Sequence, residues 1–195
     1  MSPADLKREI FEVLSGFWQN RAAMAYLRTS IAVTLTDATP LQFDNVPQYG
    51  LAAGFFGAET LGTALRNLDT YENGRMVNDI FLALLARLEM FLSDKLASAG
   101  LSHTGTLGKL QNNAQAHYGI TGIEVDCMDE VRERRNTIIH NHGAITPNYA
   151  AAANKVVGVS GGHVVAPGTI TKVEATAPYL SYAADVLIRY SSKYP

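Results

Sequence analysis

The chain has 195 residues, 47% hydrophobic and only 17% charged, so it can bury a full core and is too apolar for intrinsic disorder. Sixteen Lys and Arg against 18 Asp and Glu leave a net charge of −2, which excludes a global basic field and confines any nucleic-acid site to a local patch. The lone cysteine, Cys127, excludes a disulfide framework and a Cys-rich zinc site and fits a reducing cytoplasm. A charge content below the usual level of about 25% points to faces buried against a partner or a second copy. The polar start and the lack of an apolar run of about 18 residues lead to the expectation of a cytoplasmic protein with no membrane partner.

The opening residues predict a helix. Ser2 can cap it, Pro3 suits its first turn, and Asp5 stands at capping-box spacing. Leu6, Ile10, Val13, Leu14 and Phe17 then recur on one face, and Met24 and Leu27 extend the stripe. Over 36–57, two prolines and three glycines break the pattern. A shorter helix is expected over 59–68, stopping by Asn73 and Gly74. The clearest element follows: Val77, Ile80, Phe81, Leu84, Leu85, Leu88, Phe91 and Leu92 form one apolar stripe, with Gly100 where a C-terminal cap belongs. Residues 101–120 read as a loop with at most a helical turn, and 124–142 as a helix closed by Gly143 and Pro147. Two short valine runs around Ser160, Gly161 and Gly162 predict a small β-hairpin, and a last helix starts near Pro178. The fold class expected is therefore an all-α helical bundle with one β-hairpin inserted before its last helix. It forms a single domain, 1–195, with a helical extension over 1–74 and a core bundle over 75–195.

The helix over 124–142 carries the chemistry. With Arg135 at zero and about 100° per residue, Met128, Val131, Ile138 and Ile139 all fall within about 60° of it, putting an arginine at the centre of the apolar face. Arginine is rarely buried unpaired, so Arg135 either snorkels from the core edge, pairs with a carboxylate such as Glu89 or Asp94, or serves a site. Asp129, Arg132, Asn136 and His140 form a polar stripe beside it.

The run Arg135-Asn136-Thr137-Ile138-Ile139-His140 resembles the Arg-polar-x-x-x-His motif of the HEPN superfamily, helical-bundle proteins of toxin–antitoxin, abortive-infection and CRISPR-associated systems. The likeness covers roughly 75–195, with a long apolar helix before the motif and another helix after it. It implies a HEPN-like bundle and a metal-independent endoribonuclease, a toxin or phage-defence effector acting at a cleft between two such domains. The products implied are 2′,3′-cyclic phosphate and 5′-hydroxyl ends. His140 would move protons at the ribose 2′-hydroxyl and the leaving oxygen, Arg135 would hold the phosphate, and Asn136 would orient the histidine or bind phosphate. General chemistry agrees: imidazole titrates nearest neutrality, and guanidinium keeps its charge and offers a fork to phosphate. No cofactor or metal is implied. The partners expected are an RNA substrate, a second copy in a homodimer, and an antitoxin or regulatory protein.

Two departures stand against the motif. His140 projects about 140° from Arg135 on an ideal helix, and His142 only about 20°, which makes His142 a rival base. Arg132 is an auxiliary candidate, since dimerisation would double the cluster of Arg132, Arg134 and Arg135. The competing function is a catalytically inactive HEPN-like module that binds protein or nucleotide, and a third is a purely structural oligomerisation bundle. His140-Asn141-His142 spells a nuclease motif without its ββα context, and 105–109 lacks the first glycine and final Ser/Thr of a phosphate loop. His103, His117 and His163 share no ligand spacing.

Overall fold

The computed structural model describes residues 1–32 and 61–195; the broken stretch 36–57 and the side chain of Leu27 lie outside them. The described elements are α1 (Pro3–Ala32), α2 (Leu61–Thr70), a π-helical turn (Tyr71–Arg75), α3 (Met76–Ser98), α4 (Leu107–Tyr118), α5 (Ile123–Asn141), α6 (Pro147–Val156), a 3-10 turn (Pro167–Thr169) and α7 (Ala177–Ser191). No strand occurs among the described residues, so an all-helical architecture holds and the hairpin does not.

The chain divides into two compact units, Met1–Leu14 with Val77–Pro195, and Ser15–Met76. In the larger unit, Leu6 and Ile10 of α1 are fully buried, and Ser2 and Asp5 bond each other as the opening spacing implies. The α3 stripe is the backbone of this core, with Phe81, Leu84, Leu88, Phe91 and Leu92 at most 1% exposed. Gly100 ends α3 at φ 70°, and Leu101 N–H reaches back to the Leu96 carbonyl, the left-handed cap that only glycine adopts without strain. In the smaller unit, Glu72 is buried between two arginines, with Arg21 Nε 2.9 Å from one oxygen and Arg28 Nη2 2.8 Å from the other. It lies on the π-helical turn, which carries the chain past Asn73 and Gly74 into α3 where a stop was expected.

Two helices were not legible. α4 fills the stretch read as a loop: Thr106 caps it by accepting from Lys109 N–H, Gly119 closes it at φ 64°, and Leu107, Leu110 and Ala114 face inward. Its buried row also contains Gln111, which is why an apolar count passes over it. α6 begins at Thr146 and Pro147, a capping hydroxyl followed by proline at the first position. The proline expected to close one helix opens the next. α6 also consumes Val156, the first residue of the expected hairpin. The turns after it are tied by Ser160, whose Oγ accepts from Val164 N–H at 3.1 Å and has the Val157 and Val164 carbonyls, each at 3.3 Å, as alternative acceptors for its one proton. A segment fastened by a side chain at its centre has no need of a cross-strand ladder.

Candidate active site

α5 presents three successive faces, and its arginines divide among them. The buried face holds Cys127, Met128, Glu130, Val131, Arg134 and Thr137, so Met128 and Val131 face inward as expected, but Ile138 and Ile139 are only half-buried and the arginine at the centre of the buried face is Arg134 and not Arg135. Arg134 Nε donates to Glu130 Oε1 at 2.8 Å, its Nη1 to the Glu174 carbonyl at 2.7 Å and its Nη2 to the Tyr149 hydroxyl at 2.9 Å. Its guanidinium lies 3.8 Å from the centre of the Tyr179 ring. Tyr179 donates to the second Glu130 oxygen at 2.7 Å. Burial pushes the Glu130 carboxyl above its ordinary range, against the pull of Arg134 and the Tyr179 hydroxyl. Burial works against the Arg134 charge, but Tyr179, Glu130 and Tyr149 outweigh it and hold the group more basic than usual. This cluster ties α5 to α6 and α7 and is structural. Its sequence signal was available: Glu130 and Arg134 stand at i, i+4 spacing.

Arg132 belongs to a second, half-buried network. It pairs with Asp129 at 2.9 Å and Glu133 at 3.2 Å and donates to Gln111 Oε1 at 2.8 Å, while Gln111 Nε2 donates to Asp129. These bonds join α5 to α4.

Arg135 is different. Its Nη1 lies 3.1 Å from Asn136 Oδ1 and 3.5 Å from His140 Nε2, so the three motif residues meet. The wheel projection separated Arg135 from His140, but it places Cα atoms; the long arginine side chain closes the remaining angle near the end of the helix. His142 does the opposite. It sits at the C-cap with φ 52°, outside the helical frame in which its angle to Arg135 was measured, and its N–H bonds the Thr137 carbonyl. The structure brings together Arg135, Asn136 and His140, and keeps His142 and Arg132 in other bonds.

Arg135 and Ile139 line a groove of about 560 Å³ with Leu82, Leu85 and Glu89 of α3 and Leu107 of α4. A second groove of about 530 Å³ shares Ala86, Glu89 and Gly105 with it and continues to Ser93 and His103. No ion pair joins Arg135 to Glu89 or Asp94; Asp94 meets the N-terminal amine at 3.0 Å. Among the described residues no three His, Cys, Asp or Glu side chains gather as a metal site. No helix among them is long and apolar enough to cross a membrane. No family model matches the chain, and neither a curated protein nor a solved structure matches it.

Proposed function

We propose that this chain is a metal-independent endoribonuclease of the HEPN type, a cytoplasmic toxin or phage-defence effector. The observation that carries the reading is the meeting of Arg135, which lines a groove, with Asn136 and His140. His140 is exposed, so its Nε2 is accessible to a ribose 2′-hydroxyl. In this reading the His140 imidazole takes the 2′-hydroxyl proton, the 2′-oxygen attacks the adjacent phosphorus, the bond from phosphorus to the 5′-oxygen breaks, and the imidazolium returns the proton to that leaving oxygen, giving a 2′,3′-cyclic phosphate and a 5′-hydroxyl. Arg135 supports the charge gathering on the phosphate oxygens, and Asn136 steadies the guanidinium through its Oδ1.

A silent binding module is the second reading, and the pairing of Arg132 and Arg134 within the chain favours it, since only Arg135 of the three arginines is left to face a polyanion. Purified protein incubated with several RNA pools in excess chelator separates the two. Cleavage leaving cyclic-phosphate ends supports the enzyme, and intact RNA in every pool removes it. A homodimer and a regulatory or antitoxin partner belong to the same proposal. Arg135 packs along the groove of its own chain, so the dimer rests on the family resemblance rather than on a need to cover this side chain.

A further inference from the structure

We propose that the groove beside Arg135 reads a guanine base of single-stranded RNA, with Glu89 as the acceptor on the base edge; this rests on the endoribonuclease reading above. Glu89 lines both grooves, is half-buried, and makes no hydrogen bond or ion pair among the described residues. The Glu89 carboxylate stands in a groove whose walls include Leu82, Leu85, Leu107 and Ile139, and its oxygens are open to solvent, so the donors of a ligand can replace water there. The same apolar walls suit the face of a flat ring, and Arg135 in the lining suits the phosphate attached to it.

The pattern of donors selects the base. A carboxylate is an acceptor only, with two oxygens side by side. Guanine presents N1–H and N2–H in parallel, a fork that fits both oxygens. Adenine and cytosine set a ring-nitrogen acceptor beside their amino group, and uracil flanks its single N3–H with two carbonyls, so each of these turns a lone pair toward Glu89. A well-made bidentate contact discriminates between bases on the order of tenfold or more.

The test uses four short oligouridine RNAs carrying G, A, C or U at the centre, each 2′-O-methylated there to prevent cleavage, with affinity read by fluorescence anisotropy. The G oligomer should bind on the order of tenfold more tightly than the others, and Glu89→Gln at unchanged melting temperature should bring all four within about twofold. Guanosine monophosphate should bind more weakly than the G oligomer; equal or tighter binding would overturn RNA as the source of the base. Equal affinity for the four oligomers, or a guanine preference that survives Glu89→Gln, would overturn the assignment of Glu89. The RNA pools keep the two proposals apart. Guanine-selective binding supports the base reader even where every RNA pool stays intact and the nuclease is removed, whereas cleavage of the pools with no base preference among the four oligomers supports the nuclease and overturns the base reader.

Discussion

Arg134 and Glu130 form a buried ion pair one helical turn apart, 2.8 Å between Nε and Oε1, with side-chain exposures of 7% and 0%. Both oxygens of Glu130 and all three nitrogens of the Arg134 guanidinium are committed, to each other, to Tyr149, to Tyr179 and to the Glu174 carbonyl. Removing one partner therefore strands a charge in the interior. Glu130→Ala or Arg134→Ala should each cost about 3–5 kcal/mol in chemical denaturation, whereas replacing the pair together with apolar residues of similar volume should recover much of the loss. Single variants that lose less than about 1 kcal/mol would show that the pair contributes little to holding α5 against α6 and α7.

How far the sequence carried depends on where polar groups lie inside. The α3 stripe was legible because its buried residues are almost all Leu, Phe and Val at helical spacing. α4 was not, because buried Gln111 and small Ala114 interrupt its apolar row, and α6 was not, because between Tyr149 and Val156 its inner face is only Ala152 and Ala153. At the site, the motif located Arg135, Asn136 and His140 by order along the chain. Helical projection misjudged the same residues in two ways: it ignored the reach of arginine, and it extended the helical frame to His142, beyond its end. It also read the apolar face as centred on Arg135, because Glu130, Tyr149 and Tyr179, which make burial of Arg134 acceptable, come from three different helices.

Gly143 sets the exit of α5. Its φ is 84°, its carbonyl accepts from Val173 N–H at 2.8 Å, and a Cβ there would stand 2.7 Å from the Val173 carbonyl oxygen. Gly143→Ala therefore meets both a disfavoured backbone region and a rigid neighbour. A loss of about 1–3 kcal/mol is expected, read as a lower denaturant midpoint at constant slope. A neutral substitution would mean that the segment around Val173 moves aside freely.

The tyrosines make stability fall on the alkaline side. Burial raises the phenols of Tyr149 and Tyr190, each to about 12, and lifts Tyr179 and Tyr194 further. Tyr182 rises too, by burial and then by its contact with Cys127. A phenol in the unfolded chain titrates near 10, so these groups favour the folded state fully below about pH 10, and that contribution is lost as pH rises through about 12. Melting temperature should be flat from neutrality to about pH 9.5 and drop steeply above pH 10, with absorbance at about 295 nm rising together with the loss of helical circular dichroism. Ionisation of these phenols near pH 10 in a chain that keeps its helices would contradict the burial assigned to them.

The two histidines at the end of α5 should separate cleanly. His140 reaches Arg135 through Nε2, while His142 serves as a left-handed cap whose backbone, not its ring, does the bonding. His140→Ala should lower RNA cleavage by about 10²–10⁴-fold, which is about 3–5 kcal/mol of activation free energy, at unchanged melting temperature. His142→Gly should keep activity and leave stability unchanged or raised by up to about 1 kcal/mol, because glycine accepts positive φ without the cost a β-carbon brings. Arg135→Ala should lose activity alongside His140→Ala, and Arg135→Lys should not restore it, since an ammonium cannot present a fork to phosphate. A His140 variant as active as wild type would end the catalytic assignment, whatever the result at His142. Loss of activity only in the His142 variant would mean that its ring enters the groove in the bound state, and the base would then be reassigned.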